Sequence, residues 1–321
     1  MSKADVIFDE NIKEILNSGC DTLQQAVRPH WEDGTSAYTV KKFCIVNRYD
    51  LAEEFPIQTQ RYINFNASVD ELLWIWQKKS NNVRDLNSHI WDSWADGKGS
   101  IGKAYGYQLS CLDRYTDVTD ERLLGVFGNA YQIDIVHYSD NVSKVCRRKD
   151  GKVIVAYYKE GAWYMNQVDK VIYDLKLTPY SRRIMTNIYQ FHDLSEMGLH
   201  PCAYSMTFNV TNGKLNAILN QRSQDMLVAN GWNVCQYAVL VHLIARCTGL
   251  EVGEFVHIIA DAHIYDRHIN IVNKVVNNEK FDAPKLVIDE GITDFYDFSL
   301  DNIHLENYQY AEKVKGIPVA V

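Results

Sequence analysis

PCAYSMTFNVTNGKLNAILNQRSQD, residues 201–225, reads as two β-strands folded back on a single turn. MTFNV (206–210) and KLNAILNQR (214–222) flank Thr211-Asn212-Gly213, and Asn-Gly between two β-type runs is a strong hairpin signal. A hairpin closing there sets the start of the first strand beside the end of the second. Cys202 and Arg222, 20 residues apart, then become neighbours. A guanidinium beside a thiol lowers the thiol's pKa and makes it a nucleophile near neutral pH. Taken alone, a cysteine at a strand start reads first as a buried small hydrophobe.

The pattern extends outward in both directions. After the hairpin, residues 234–249 form an apolar helical run ended by Gly249, and FVHIIADAHIY (255–265) alternates like a strand. Before it, residues 5–18 predict an amphipathic helix ended by Gly19. Asp33-Gly34 predicts a turn ahead of a strand over 38–46. Ser68 and Glu71 form a capping-box pattern opening ELLWIW (71–76), which would leave Glu71 exposed at a helix start. Residues 110–168 differ in texture: IDIVHY (133–138), KVIVAYY (152–158) and AWYM (162–165) are short β-type runs between turns. They predict a small β-rich insertion, followed by a helix over 169–176. Strands and helices mix without a βαβ rhythm, so the class is α+β.

Composition bounds the function. The 321 residues are 46% hydrophobic, enough for a large core and too apolar for disorder. Thirty-three Lys+Arg against 41 Asp+Glu give a net charge of −8. That argues against non-specific binding of nucleic acid or anionic membrane, but leaves room for a local basic pocket. Seven scattered cysteines without a CxxC pair predict neither a disulfide framework nor structural zinc, and point to a reducing compartment. The N-terminal residues lack the apolar core of a signal peptide. The most apolar stretch, 234–250, is interrupted by Gln236, His242 and Arg246, so a cytoplasmic chain with no membrane span is expected.

Two tempting motifs fail on context. Gly97-Lys98-Gly99-Ser100-Ile101-Gly102 matches GxGxxG, but WDSWAD (91–96) precedes it where an apolar strand is required. His263 and His268 are five apart, which suits no metal pair on a helix or strand.

Several segments together resemble thymidylate synthases: Pro201-Cys202, QRSQD (221–225), WNVCQY (232–237) and DAHIY (261–265). Upstream, Phe55-Pro56, ELLW (71–74), IWDSWA (90–95), GKAYG (102–106) and Ser181-Arg182-Arg183 resemble the family as well. The likeness covers about 10–110 and 168–321, and implies one synthase domain over 1–321 with 110–168 inserted. It implies a large mixed β-sheet flanked by helices and a sheet-to-sheet homodimer. The implied activity is a methyltransferase that converts dUMP to dTMP. Its carbon donor and reductant is 5,10-methylenetetrahydrofolate; the folate supplies the electrons, so no metal and no nucleic acid are required.

The resemblance also implies roles. Cys202 is the nucleophile that adds to carbon 6 of the pyrimidine. Arg222 and Ser223 bind the phosphate with Arg28, while Arg182 and Arg183 reach in from the partner subunit; a solvated surface is the plain reading of that pair. Asn233 reads the uracil edge beside Gln221, and an amide there suits a 4-oxo group and a ring N–H. His263 and Tyr265, two apart on one strand face, meet the sugar hydroxyl. Glu71 becomes a buried proton relay instead of a helix cap, and Tyr105 helps organise its water. Ile90, Trp91, Trp94, Leu199, Asp225 and Trp232 contact the folate, Trp232 standing where Phe is more usual. Arg61 falls against the folate's polyglutamate tail, and Ala320 belongs to an apolar C-terminal tail that closes over the site. Ala203 departs from the common His after the nucleophile. A deoxyuridylate hydroxymethylase of the same fold, finishing with water instead of hydride, is the alternative; a binding protein on an inactive scaffold would require a lost catalytic group.

Overall fold

The computed structural model describes residues 1–138 and 141–321. The hairpin forms as the sequence predicts. Ala203–Thr211 pairs antiparallel with Lys214–Gln221, with Thr211 opposite Lys214. The two linking residues, Asn212 and Gly213, have φ of 52° and 77°, the turn whose twist matches that of the strands it joins.

This hairpin sits inside a mixed sheet. Its spatial order is Cys20–Asp21, Thr39–Asp50, Glu251–Tyr265, Lys214–Gln221, Ala203–Thr211 and Met185–Asn187, with Gln224–Asp225 alongside the end of Glu251–Tyr265. Lys214–Gln221 and Glu251–Tyr265 run parallel, which requires a crossover. Helix Asn230–Thr248 supplies it. Apolar nearly all round, it is buried through the middle of the molecule and stops where Gly249 turns left-handed at φ 71°. Helix Phe65–Trp76 packs against it. Helix Lys3–Ser18 lays Phe8, Ile12 and Ile15 against Ile45 and Ile259 of the sheet.

One local expectation is overturned. Helix Phe65–Trp76 starts ahead of the capping box: its N-cap is Asn64, four residues before Ser68, and the Asn64 side chain accepts the Ala67 N–H (3.3 Å). Ser68 is buried inside the helix and donates to the Phe65 carbonyl (2.8 Å). Glu71 therefore lies a full turn into the helix and is buried, so the exposed-cap reading is excluded.

Residues 112–166 build a second, antiparallel sheet in the order Leu112–Tyr115, Ala162–Asn166, Ile154–Lys159, Asn141–Arg148 and Tyr131–Tyr138. The β-rich texture is thus realised, with helix Asp120–Phe127 added, which the sequence analysis did not anticipate. Its own apolar core includes Leu123, Tyr131, Cys146, Trp163 and Tyr173. A part-buried polar cluster ties the helix that follows this sheet, Gln167–Leu177, to the rest: Lys79 donates to the Tyr296 hydroxyl (2.7 Å), which donates to Asp169 (2.6 Å). On the large sheet, Phe43 is 81% exposed and Val46 is exposed beside it, an apolar surface that a single chain leaves uncovered.

Candidate active site

The C-terminal end of the hairpin opens into a cavity of about 520 Å³, lined among others by Cys202, Asn233, Glu71, Trp91, Asp225 and Ala320. The ladder places the first group. Arg222 N–H donates to the Cys202 carbonyl (3.0 Å), locking the two strand ends together, and the Cys202 N–H donates to the Tyr105 hydroxyl (3.1 Å). Tyr105 carries φ 45°, a region that disfavours side chains, and the glycine after it lets the chain pass against Ser80. A Cβ on Gly106 would stand 2.2 Å from the Ser80 carbonyl oxygen.

Arg222 adjoins the thiol as the hairpin requires, with Nη2 3.7 Å from Sγ. It is also tied to the Pro201 and His200 carbonyls at 3.0 and 2.8 Å. The expected net lowering of the thiol pKa is not what results. Burial pushes Cys202 up, Arg222 and Arg28 pull it down, and burial wins. The arginines therefore offset desolvation instead of producing a free thiolate. Arg28 itself is exposed, and its charge reaches the thiol from outside.

The amide pair is pre-set. His257 Nε2–H donates to Gln221 Oε1 (2.7 Å), and Gln221 Nε2 faces Asn233 Oδ1 at 3.3 Å and the Ser223 carbonyl at 3.1 Å. Because Gln221 donates to the Asn233 oxygen, the Asn233 NH₂ is left to donate into the cavity. Gln221, Ser223, His263 and Tyr265 line the same cavity. The His263 and Tyr265 rings meet edge to face at 5.1 Å, and Asp261 holds His263 Nδ1 at 3.0 Å.

Glu71 forms the floor. Its Oε1 accepts from Trp91 Nε1 (2.5 Å), and its Oε2 from Trp232 Nε1 (2.5 Å) and Gln236 Nε2 (2.9 Å). Burial raises its pKa, and the three N–H donors oppose that rise. Gln236, one helical turn after Trp232, is a site residue the sequence analysis missed. Its position in an apolar helix was the available signal.

Aromatic rings make one wall: Trp91 lies 5.6 Å from Trp94 and 4.9 Å from Tyr105 between ring centroids. Ile90 and Leu199 flank them. Arg61 also lines the cavity, buried and donating to the Leu227 carbonyl, with burial drawing its pKa down to about 10 against the pull of Asp225.

Asp225 Oδ1 accepts from the Leu227 and Val228 N–H groups at 2.9 and 3.0 Å. Burial would raise its pKa, but His268 and the Val228 N–H outweigh burial and hold it below the usual carboxylate range. His268, fully buried, lies 3.6 Å from Asp225 through Nδ1 and donates from Nε2 to the Pro318 carbonyl (2.8 Å). The tail is thereby closed over the cavity, and Val321 exchanges two backbone hydrogen bonds with His30 (2.8 and 3.0 Å). His268 is a second site residue that the sequence analysis missed, since it was weighed there only as a metal-pair candidate. Arg182 and Arg183 are exposed and lie outside the cavity of their own chain. The GxGxxG stretch is a turn: Gly99 and Gly102 have φ of 86° and 71°, and the backbone of Glu196 packs where a side chain on Gly102 would be.

Among the described residues no group of three His, Cys, Asp or Glu could hold a metal ion, and no helix is long and apolar enough to cross a membrane. The cavity combines a thiol, a buried carboxylate, an oriented amide pair and an aromatic wall, a set of groups able to take a flat, hydrogen-bonding heterocycle beside a second planar ligand. Comparison with known proteins agrees. The thymidylate synthase family model matches residues 7–321. Thymidylate synthase 1 of Bacillus subtilis (strain 168) and the thymidylate synthase of Bacillus phage phi3T are each 36% identical over 318 residues, 98% of both chains. The solved thermostable thymidylate synthase A from Bacillus subtilis superposes with a TM-score of 0.80 at 35% identity over 99% of each chain. The chain belongs to the thymidylate synthase family, the folate-dependent homodimers that methylate dUMP to dTMP. These relatives give no support to the hydroxymethylase alternative.

Proposed function

We propose that Cys202 carries the reductive methylation of dUMP by 5,10-methylenetetrahydrofolate in this cavity, giving dTMP and dihydrofolate. The observation that carries this assignment is the convergence of Cys202, Asn233 and Glu71 on one cavity with an aromatic slot. Carbon 6 of uracil is the electrophilic end of an α,β-unsaturated carbonyl, so the Cys202 thiolate adds there and carbon 5 gains enolate character. Asn233, oriented by Gln221 and His257, donates to the 4-oxo group where that charge develops. Carbon 5 captures the one-carbon unit of the folate, which stacks against Trp91 and Trp94, with Ile90, Leu199 and Trp232 around it and Asp225 on the pterin's polar edge. Glu71, with Tyr105, relays protons through water, and the ring proton at carbon 5 leaves. Tetrahydrofolate is then eliminated and its hydride reduces the exocyclic methylene to methyl, while Cys202 departs from carbon 6.

Arg222, Ser223 and Arg28 take the phosphate with Arg182 and Arg183 of the partner subunit, and His263 and Tyr265 take the sugar hydroxyl. Arg61 and Ala320 complete the folate side, the tail excluding water until the hydride has moved. The whole chain acts as one domain with 110–168 inserted in it. We place the enzyme in the cytoplasm, where its seven free cysteines would stay reduced.

The test is incubation of the purified protein with dUMP and methylenetetrahydrofolate, with both products resolved by mass. Thymidylate with dihydrofolate is expected. Hydroxymethyl-dUMP with tetrahydrofolate, or no turnover with dUMP still bound, overturns the assignment.

A further inference from the structure

A buried carboxylate works as a relay only if its charged form is supported where water is scarce. Glu71 meets that demand with three N–H donors, and two of them, Trp232 Nε1 and Gln236 Nε2, converge on the same oxygen, Oε2. Both sit on the first turns of helix Asn230–Thr248, four residues apart and so on one face, turned toward the helix that carries Glu71. An indole N–H can only donate. It stabilises the carboxylate and has nothing to offer a carboxylic acid proton. Gln236 also donates to the Ser68 carbonyl (3.3 Å), which fixes the amide with its nitrogen toward Glu71.

We propose that Trp232 and Gln236 are positioning residues of the proton relay, which hold the Glu71 carboxylate ionised and aimed at the cavity through Oε2. The proposal rests on the role given to Glu71 above. The other titratable groups around Glu71 are Asp70 on its own helix, Tyr105 and Tyr237. Asp70 opposes ionisation as a like charge, though its own oxygens are tied to Asn87 at 2.9 and 3.1 Å. The two tyrosines stay neutral because burial raises their pKa values far above neutrality. The tyrosines therefore contribute no change in charge beside Glu71 over the working pH range.

The experiment is the pH profile of kcat for wild type, Trp232→Phe, Gln236→Met and Glu71→Gln. Wild type must first make dTMP; if it does not, the assignment of the previous section fails, whatever the variants do. Given turnover, Trp232→Phe keeps the aromatic wall but removes one donor from Oε2. The acid limb of kcat should move to higher pH by about one to two units, because a lost hydrogen bond to a charged group destabilises the ionised form by that much. KM for dUMP should stay within about twofold. Gln236→Met should move the limb in the same direction, and it carries the test if Trp232→Phe does not fold. Glu71→Gln should lose the limb. A uniform fall in kcat with the limb unmoved in the folded variants, or a limb that survives in Glu71→Gln, overturns the proposal.

Discussion

Asn233 is the side chain on which the proposed choice of substrate turns. Its oxygen is occupied by Gln221 Nε2, which His257 holds in turn, so the amide cannot rotate freely between its two faces. Asn233→Asp would replace the inward donor with an acceptor facing the 4-oxo group of uracil. A site built to hydrogen-bond its substrate rejects the mismatched one strongly. We expect kcat/KM for dUMP to fall about 10³-fold or more, while binding of dCMP, whose 4-amino group donates, strengthens. Direct titration of the variant with both nucleotides checks this; unchanged preference would place the reading of the base elsewhere. The same logic separates Cys202 from the other cysteines. Cys146, Cys235 and Cys247 are buried, with pKa values pushed up to about 12 by desolvation, whereas Cys202 has two arginines working against that rise.

At the level of elements, two contacts join parts of the fold that the chain order keeps apart. The tail closes because Val321 pairs with His30 and Pro318 is held by His268. Deleting Val321 removes both backbone bonds at once and leaves the cavity open to water. A drop in kcat of about 10²-fold with the Kd for dUMP unchanged is expected, since the loss is of positioning and water exclusion rather than of nucleotide contacts. Steady-state kinetics beside dUMP calorimetry reads both quantities. The second contact is the Lys79–Tyr296–Asp169 cluster that ties helix Gln167–Leu177, which follows the small sheet, to the main body. Lys79→Met removes the ammonium that holds the Tyr296 hydroxyl on Asp169. Losing a hydrogen bond from a charged group costs about 1.5–3 kcal/mol, so the urea midpoint should fall while dTMP formation at 25 °C persists. A midpoint within error of wild type would show that the cluster carries no stability.

For the whole molecule, the proposed cross-subunit role of Arg182 and Arg183 is compatible with their exposure outside their own cavity. Mixed dimers of Arg182→Ala/Arg183→Ala subunits with Cys202→Ala subunits contain one cavity with both defects and one with neither. Activity should recover on mixing, to about a quarter of wild type if subunits exchange at random and binding sites act independently. No recovery in verified heterodimers would assign those arginines to another task. Stability of the dimer carries a pH signature as well. His257 is fully buried in the sheet, and burial lowers its pKa to about 3. The unfolded chain takes up that proton near pH 6.5, the folded chain only near 3, so the unfolded state binds more protons between them. Stability is whole above about 6.5 and lost as pH falls, by about 1.4 kcal/mol per unit for this one group. Urea unfolding at fixed protein concentration from pH 7 to 4 should show the slope, and His257→Gln should flatten it.

The sequence by itself determined the hairpin, the crossover helix and the neighbourhood of Cys202 and Arg222, because Asn212-Gly213 fixes the register and Gly249 ends the helix through local backbone preference. It also exposed the family, through short motifs whose residue types the chemistry demands. Three things were decided only by tertiary structure. Glu71 is buried because Asn64, not Ser68, captures the helix end, and two chemically sound caps cannot be ranked without the surrounding packing. The thiol's ionisation depends on how far burial offsets two arginines, a balance that spacing cannot express. Gln236 and His268 join the site from a helix read as core and from a histidine read as unpartnered. Their partners, Glu71 and Pro318, lie 165 and 50 residues away in the chain. Local pattern specifies elements, but which polar groups meet across them is set by how those elements pack.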